Sequence, residues 1–475
     1  MEFVASQPSN PEQVLPVENT DLVNTTAKIS TGDAPQPVQT ADRIQTIDIV
    51  RGVALLGILL MNIPVFGIHF SAFNQVLGGS PNTTDYRTMA VIFTFFDGTM
   101  RGLFSMLFGA GMVLFTLNKK EVPGGVTVAE YYYRRLLWLV AFGLLNAYVL
   151  LWEGDILFYY GLFGMLLYPF RKVAASWLIL LGLFCISIGM FKSVWWYQQT
   201  RETRANYLSA IAAEKEKKKL TPKQEEAKSA WENIMTSQKP DTAAAKKNVE
   251  TMRSGYGTIF SHFIPINSGN ETWGTYHGIW DMLSMMFIGM GLFGLGFFSN
   301  KLSTGTYAMY LLVGYGLGIP IGYIFFKGGF VETLDFARYV DAYSAPHWLL
   351  YHGRRVLLCV GHASLVLLIY RSRVVPWLMK GLANVGQMAF TNYLMQSIIC
   401  TLFFFGYGLG NYNKLSFHQL YYVVGTVWIF QFIFSAIWLK YFRFGPFEWV
   451  WRSLTYWKRQ PFVKRENTNS PTGIL

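Results

Sequence analysis

Runs of about 20 apolar residues recur along most of the chain, and they are too long for the core strands or helices of a soluble domain. A run of this length crosses a hydrocarbon layer of about 30 Å as a helix, in which each backbone polar group is bonded within its own segment. The runs also lack the alternating pattern of a membrane barrel. We mark ten of them, at residues 44–66, 102–117, 136–151, 156–170, 174–194, 282–298, 306–326, 349–370, 389–409 and 421–439. They predict an all-α fold, a polytopic membrane bundle of about ten transmembrane helices.

The composition argues against a soluble enzyme and against a nucleic-acid-binding protein. Charged residues make up 14% of the chain, where a soluble globular protein carries roughly 25%. The 40 basic residues exceed the 28 acidic ones, but in a membrane protein this excess usually lies in cytoplasmic loops. Cys185, Cys359 and Cys400 lie far apart inside apolar runs, so we expect neither a disulfide framework nor a metal site. We expect the lipid bilayer, and no nucleic acid, as a partner.

Basic residues in the short loops predict the orientation of the bundle. Lys and Arg cluster after the second, fourth, sixth and eighth runs, and loops rich in these residues usually face the cytoplasm. With about ten spans, both termini fall on the same side as these loops. We therefore predict that both ends of the chain are cytoplasmic.

Two segments depart from the apolar pattern. Residues 1–42 are rich in Pro, Thr, Ser, Asn and Gln, which predicts a disordered tail. The chain between the fifth and sixth runs is dense in Lys, Glu and Ala, which predicts a charged helical insert outside the membrane; a partner-binding role and a solvated hairpin both stay open. The chain then divides into the tail, membrane helices one to five, the insert, membrane helices six to ten, and a cytoplasmic interfacial helix with a tail, at residues 1–42, 43–197, 198–275, 276–440 and 441–475.

The first apolar run carries a polar stripe. Asp48 stands three positions before Arg51, and at about 100° per residue Arg51 and Asn62 lie nearly in line on one helix face. An acid, a guanidinium and an amide within a membrane span are costly unless paired, so they predict a functional site. The alternative is that Asp48 and Arg51 form an ion pair that anchors the helix at the cytoplasmic interface.

A similar stripe occurs in the eighth run, where Arg355, Cys359 and His362 recur at i, i+4 and i+7 beside Arg354. Guanidinium groups near a membrane interface are suited to holding an anion. A histidine in the middle of an apolar run also serves as hydrogen-bonded packing. We predict Arg354, Arg355 and His362 as substrate-binding residues, with packing as the alternative for His362.

Asp97 and Arg101 are spaced i, i+4 directly before a glycine-rich stretch at residues 102–111. The spacing predicts an ion pair that caps the second span. The glycines predict that a neighbouring helix approaches closely.

A histidine follows the first run. His69 lies seven residues past Asn62, at the predicted outer end of the span, and an imidazole there has the pKa range of a general base. No nucleophile motif, phosphate-binding loop or metal-ligand spacing accompanies it. His277, four residues before Asp281, is the alternative base.

Several motifs in a fixed order resemble the YeiB family, bacterial inner-membrane proteins whose C-terminal region is catalogued as the domain of unknown function numbered 418. The motifs lie at residues 48–52, 103–111, 154–157, 388–397 and 445–456. The resemblance implies a multi-pass protein of the bacterial inner membrane.

The first run alone is similar to heparan-α-glucosaminide N-acetyltransferase and other transmembrane acyltransferases, which move an acyl group from cytoplasmic acyl-CoA to a sugar on the far side. This likeness implies that Asp48, Arg51 and Asn62 line the passage for the acyl donor. It also implies that a histidine beyond Asn62, here His69, is the base.

Two further basic residues complete the predicted donor site. Arg134 and Arg135 lie in a loop predicted to be cytoplasmic, where they would meet the phosphates of acyl-CoA. The predicted cofactor-binding residues are thus Asp48, Arg51, Arg134 and Arg135. The predicted catalytic residues are His69 and Asn62, the latter stabilising the developing oxyanion.

The sequence therefore predicts an acyltransferase that acts on a cell-envelope sugar or a similar hydroxyl acceptor, with acyl-CoA as co-substrate and no bound cofactor. A second hypothesis is a transporter or exporter of a small anionic or amphipathic solute, bound by Arg51, Arg354 and Arg355. A third is a non-catalytic scaffold that uses the charged insert. Homo-oligomerisation stays open.

Overall fold

The computed structural model describes residues 44–117, 126–238 and 241–464, and the predicted tail at residues 1–42 lies outside these ranges. Within them the chain is helical, and strand pairing is limited to one bridge between Phe442 and Val463. The predicted all-α class is confirmed. The helices, in chain order, are α1 (Gln45–Gly67), α2 (Phe70–Leu77), α3 (Thr84–Phe96), α4 (Thr99–Leu117), α5 (Val128–Tyr148), α6 (Leu157–Met165), α7 (Ala175–Lys215), α8 (Pro222–Gln238), α9 (Thr242–Met252), α10 (Tyr256–Gly269), α11 (Thr275–Gly294), α12 (Thr304–Phe326), α13 (Phe336–Ala342), α14 (Leu350–Ser372), α15 (Pro376–Gln387), α16 (Ala389–Phe404), α17 (Phe417–Tyr441) and α18 (Pro446–Tyr456).

Six helical segments among the described residues are long and apolar enough to cross a membrane. They are Gln45–Gly67, Thr84–Leu117, Ala175–Lys215, Thr304–Leu334, His347–Ser372 and Phe417–Tyr441. Each of the ten predicted runs is helical over most of its length, but α6 has only 9 residues and rises about 13 Å, less than half the thickness of the hydrocarbon layer. The chain is thus a helical membrane bundle, and the number of about ten spans stays a prediction.

The helical segments that contain the second and fifth runs extend beyond the predicted apolar residues. The second begins in α3, and a break between α3 and α4 divides it. The fifth is part of α7, a helix of 41 residues that continues into the charged insert, so the predicted boundary at residue 198 falls inside a helix. The rest of the insert forms α8, α9 and α10.

Helix α1 crosses α15 at a distance that only glycine permits. A Cβ atom on Gly52 would lie 2.1 Å from the carbonyl oxygen of Leu382, and one on Gly386 would lie 1.8 Å from that of Asp48. These obstacles are backbone atoms, which cannot rotate away. The glycine of the Arg51-Gly52 motif is therefore required for helix packing.

Helices α4 and α11 make a reciprocal contact of the same kind. A Cβ atom on Gly109 would lie 2.1 Å from Met286 O, and one on Gly289 would lie 2.0 Å from Met106 O. Small residues let membrane helices approach closely in this way, as the glycines of residues 102–111 predict. The contact holds α11 against α4.

The insert shares a small hydrophobic core with the segment that precedes α14. Trp231 of α8 is buried against Phe336 of α13, and Tyr197 and Tyr339 join the cluster. Tyr197 also donates a hydrogen bond of 2.9 Å to Tyr343 O. The hairpin of α7 and α8 is thereby fixed to the segment that precedes α14.

The glycine contact between α4 and α11 can be tested with two alanines in the same helix. Gly109→Ala places a methyl group against the backbone of Met286, and overpacking of this kind typically costs about 1–3 kcal/mol. We expect a clearly lower midpoint of thermal unfolding for the detergent-solubilised protein.

Gly111→Ala is the control, because a Cβ atom there meets nothing within 4 Å. Alanine favours a helix over glycine by up to about 1 kcal/mol, so this variant should be as stable as the wild type or more stable. Equal midpoints for the two variants would contradict the close approach of α4 and α11.

Candidate functional site

The break between α3 and α4 lies at Asp97 and Gly98. Gly98 has a φ angle of +70°, in the left-handed region that favours glycine. A Cβ atom there would also lie 2.3 Å from the hydroxyl oxygen of Tyr351. A helix that ends inside the bundle leaves its last carbonyl groups without helical donors. The Thr99 hydroxyl donates to two of these carbonyls, Phe95 O at 3.0 Å and Phe96 O at 3.1 Å. Another helix supplies further donors.

The polar stripe of α14 contacts backbone carbonyl groups on both sides of the break. The Sγ atom of Cys359 donates to Thr99 O over 3.0 Å, and the Nε2 atom of His362 lies 3.0 Å from Phe95 O. Because a carbonyl only accepts, the proton of His362 is on Nε2, and Nδ1 accepts from the Tyr315 hydroxyl at 2.8 Å. Both ring nitrogens of His362 are engaged in bracing α14 against α3 and α12. Its predicted role in substrate binding stays a prediction.

A charged cluster surrounds the break. Arg354 of α14 is hydrogen-bonded to Asp97, and its side chain is fully buried at 0% exposure. Arg355, at 1% exposure, donates through Nη1 to Asp281 of α11 over 2.8 Å. Arg101 of α4 reaches the same carboxylate at 3.2 Å. The predicted binding residues Arg354 and Arg355 are therefore together, in a cluster to which three helices contribute.

Tyr351 links the two arginines that share Asp281. Its hydroxyl accepts from Arg101 at 3.2 Å and from Arg355 at 3.3 Å. The imidazole of His352 lies on the other side, with Nδ1 3.4 Å from an oxygen of Asp281. Sequence reasoning missed Asp281 and Tyr351 as cluster members, because only the packing of α11 and α14 brings them to the break.

The predicted donor-binding residues lie at the N-terminal end of α1. Asp48 and Arg51 form an ion pair of 2.7 Å. Arg135 of α5 is close enough to Arg51 for the two charges to interact, and its guanidinium lies 4.2 Å from the centre of the Trp451 ring. Arg134 instead stacks on other aromatic rings, those of Tyr131 and Trp457. Arg51 and Arg135 are thus brought together, whereas Arg134 makes separate contacts.

The predicted catalytic residues lie at the other end of α1. The amide of Asn62 is half-buried and makes no hydrogen bond with a residue that the structure describes. His69 caps α2, with Nδ1 3.1 Å from the backbone nitrogen of Ser71 and 2.8 Å from its hydroxyl. Burial lowers the pKa of His69, which keeps the imidazole neutral at pH 7.

Asp155 is a buried carboxylate that was not predicted as functional. Asp155 caps α6 by accepting from the backbone nitrogen of Phe158 at 2.8 Å, and its other oxygen accepts from Asn146 at 2.8 Å. The Tyr393 hydroxyl lies 3.4 Å away. Burial raises the pKa of Asp155 to about 7. The motif at residues 154–157 is the only sequence signal for this group.

Comparisons with known proteins agree with the predicted family. Residues 292–458 match the family model described as "Protein of unknown function (DUF418)". The chain is 29% identical over 453 residues to "Uncharacterized protein YxaH" of Bacillus subtilis, covering 90% of this chain and 98% of that protein. It is also 29% identical over 434 residues to "Uncharacterized protein YeiB" of Escherichia coli, covering 89% and 99%. These matches support the assignment of the chain to the YeiB/DUF418 family.

The DUF418 match covers only part of the charged cluster, whereas the YeiB and YxaH alignments are much longer. Arg354 and Arg355 lie within the part that matches the DUF418 model, whereas Asp97, Arg101 and Asp281 precede it. The YeiB and YxaH alignments extend over nine-tenths of the chain. No solved structure matches the chain. The likeness of the first run to membrane acyltransferases stays a prediction.

The charged cluster should contribute strongly to stability. Asp281→Asn removes the carboxylate that pairs with Arg101 and Arg355, and breaking a buried pair costs about 3–5 kcal/mol because a charge is left uncompensated. We expect the midpoint of thermal unfolding to fall by many degrees.

Asp341→Asn is the matched control. Asp341 pairs with Arg204 on the surface of the insert, with 44% of its side chain exposed, and an exposed pair contributes up to about 1 kcal/mol. A wild-type midpoint for Asp281→Asn would show that the cluster does not hold the bundle together.

Proposed function

We propose that the chain is a membrane acyltransferase that moves an acyl group from cytoplasmic acyl-CoA to a hydroxyl of a cell-envelope sugar or a similar acceptor. The observation that supports this most is the polar distribution along α1. Arg51, beside Arg135, lies near its N-terminal end, and Asn62 lies near its C-terminal end, with His69 just beyond. The helical rise from Arg51 to Asn62 is about 16 Å. One helix thus connects a basic end with an end that carries an amide and an imidazole.

The basic end has the chemistry of a phosphate site. Arg51 and Arg135 repel one another, and no carboxylate among the described residues interacts with Arg135. Guanidinium groups bind phosphate oxygens through two parallel hydrogen bonds, and a bound phosphate would remove the repulsion. The positive-inside rule predicts that this end faces the cytoplasm, where acyl-CoA is available.

The other end has groups suited to acyl transfer. Nδ1 of His69 accepts from the Ser71 backbone N–H and faces the Ser71 hydroxyl at 2.8 Å, so the ring proton is on Nε2 and Nδ1 is the basic nitrogen. Nδ1 can take the proton of the Ser71 hydroxyl while this hydroxyl takes the proton of the acceptor hydroxyl. The acceptor oxygen then forms a bond with the thioester carbonyl carbon, and the amide of Asn62 donates to the developing oxyanion. The C–S bond breaks, and the thiolate of CoA takes the proton back from His69.

Anion transport is the second candidate, and the broken helix supports it. Transporters use discontinuous membrane helices to bind charged solutes, and Gly98 divides such a helix beside three arginines. A second break, at Met388 between α15 and α16, lies directly before the ninth predicted run. An inverted repeat of five and five runs would require that break before the seventh run. The breaks between the described helices therefore do not follow the repeat that would favour transport over acyl transfer.

Binding of acetyl-CoA tests the donor site. We expect saturable binding by isothermal titration calorimetry, weakened at least tenfold by Arg51→Ala, because a charged hydrogen bond to a phosphate contributes about 1.5–3 kcal/mol. Lys380→Ala, an exposed cation on the side predicted to be cytoplasmic, is the control and should bind like the wild type. A folded, monodisperse sample that does not bind acetyl-CoA would contradict acyl transfer and leave solute flux in liposomes as the next measurement.

Loss of the base tests the chemistry. His69→Ala should abolish the acceptor-dependent release of free CoA thiol from acetyl-CoA and leave acetyl-CoA binding unchanged. His418→Ala, which removes an imidazole paired with Asp85, should retain activity.

The pH profile gives a second readout for His69. Because burial lowers its pKa, the neutral base should be fully present at pH 7, and activity should fall only as the pH drops below the usual histidine range near 6.5. Normal turnover by His69→Ala would rule out this residue as the base.

A further inference from the structure

We infer that the guanidinium groups of Arg101, Arg354 and Arg355 form a binding site for one monovalent oxyanion, a carboxylate or a phosphodiester. Anion binding at this cluster does not depend on the reaction. Assigning the anion to the acceptor of acyl transfer rests on the proposed function. The acceptor would then be an acidic sugar or a phosphorylated hydroxyl compound.

The charges of the cluster do not balance. Asp97 pairs with Arg354, and Asp281 is shared by Arg355 and Arg101. The acidic groups that interact with these residues, among those that the structure describes, are these two carboxylates. Three fixed positive charges therefore face two negative ones. An uncompensated charge inside a membrane bundle is costly, and one bound anion would neutralise it.

The cluster also holds hydrogen-bond donors that lack acceptors. The Nε and Nη1 atoms of Arg354 and the Nε atom of Arg355 are buried and have no hydrogen-bond partner among the described residues. The guanidinium of Arg354 stacks on the Phe325 ring at 4.1 Å, which compensates part of its charge. This ring provides no oxygen or nitrogen acceptor for the unbonded N–H groups. Buried donors in native structures are nearly always bonded, so an acceptor is expected there.

Arg101 leaves the cluster open on one side. Its side chain is 40% exposed, in contrast to the buried Arg354 and Arg355. The neighbouring Met100 packs where a Cβ atom of Gly57 would lie, so α4 contacts the middle of α1 directly before Arg101. Arg101 is therefore the member of the cluster that an anion would meet first.

The surplus of one charge sets the selectivity. A monovalent anion would complete the balance of three cations and three anions, whereas a second negative charge would face Asp97 and Asp281 uncompensated. The planar guanidinium groups favour oxyanions, which accept two hydrogen bonds side by side, over a halide.

Calorimetric titration of the purified full-length chain with sodium acetate and, separately, sodium phosphate, at constant ionic strength and about pH 6, where inorganic phosphate carries mainly one charge, tests the site. We expect saturable binding of one anion per chain. Arg101→Gln should weaken it about tenfold or more, because one charged hydrogen bond is lost and the partly exposed side chain is the least needed for packing. Arg204→Gln, on the insert, is the control and should bind like the wild type.

A second variant predicts the opposite change. Asp97→Asn removes a competing carboxylate, which releases Arg354 and raises the positive surplus, so anion binding should become tighter. The relative affinities for acetate and phosphate distinguish a carboxylate from a phosphate ligand. A folded wild type that binds neither anion, or affinities that are equal in Arg101→Gln, Asp97→Asn and the wild type, would overturn the inference.

Acetyl-CoA binding on the same samples separates this inference from the proposed function. If acetyl-CoA binds in an Arg51-dependent manner and neither anion binds, the anion site is wrong and acyl transfer still stands. If an anion binds through Arg101 and acetyl-CoA does not bind, acyl transfer is wrong and the cluster is a site for an anionic solute.

Discussion

The interruption of the helix at Gly98 is the constraint on which the rest of the bundle depends. In a membrane, carbonyl groups freed by a break have no water to bond and must be satisfied by protein. The Thr99 hydroxyl and His362 of α14 do this at the end of α3. Cys359 of α14 bonds the first carbonyl of α4, and Arg354 pairs with Asp97 at the break itself. The position and rotation of α14 against α3 and α4 are therefore fixed by polar contacts rather than by apolar packing alone.

The glycine contacts bring the residues of the charged cluster within hydrogen-bond distance of one another. Asp281 lies on α11, and it reaches Arg101 and Arg355 because Gly109 and Gly289 let the backbones of α4 and α11 touch. A larger residue at either glycine would move the carboxylate away from two guanidinium groups. Helix packing and electrostatics thus stabilise the same part of the molecule.

The sequence predicted the helices better than the side-chain contacts between them. The apolar runs identify the helices, and the glycines of residues 102–111 identify a close contact. The i, i+4 spacing of Asp97 and Arg101 predicts a pair, but the left-handed Gly98 between them ends the helical register, and each residue binds a distant partner instead. A break caused by one backbone angle leaves no periodic signal, so neither it nor the role of Asp281 could be read from spacing.

Arg354 and Arg355, adjacent on α14, show how much of the charged cluster the polar stripe could predict. Successive side chains on a helix point about 100° apart, and Arg354 and Arg355 pair with different acids, Asp97 at the break and Asp281 on α11. The stripe predicted that both would be functional but not that a third arginine would join them. Since α4 and α14 supply the guanidinium groups and α11 supplies the acid between them, an anion bound at the cluster would hold these helices together. Binding to the folded state alone stabilises it by mass action, so ligand and bundle would stabilise each other.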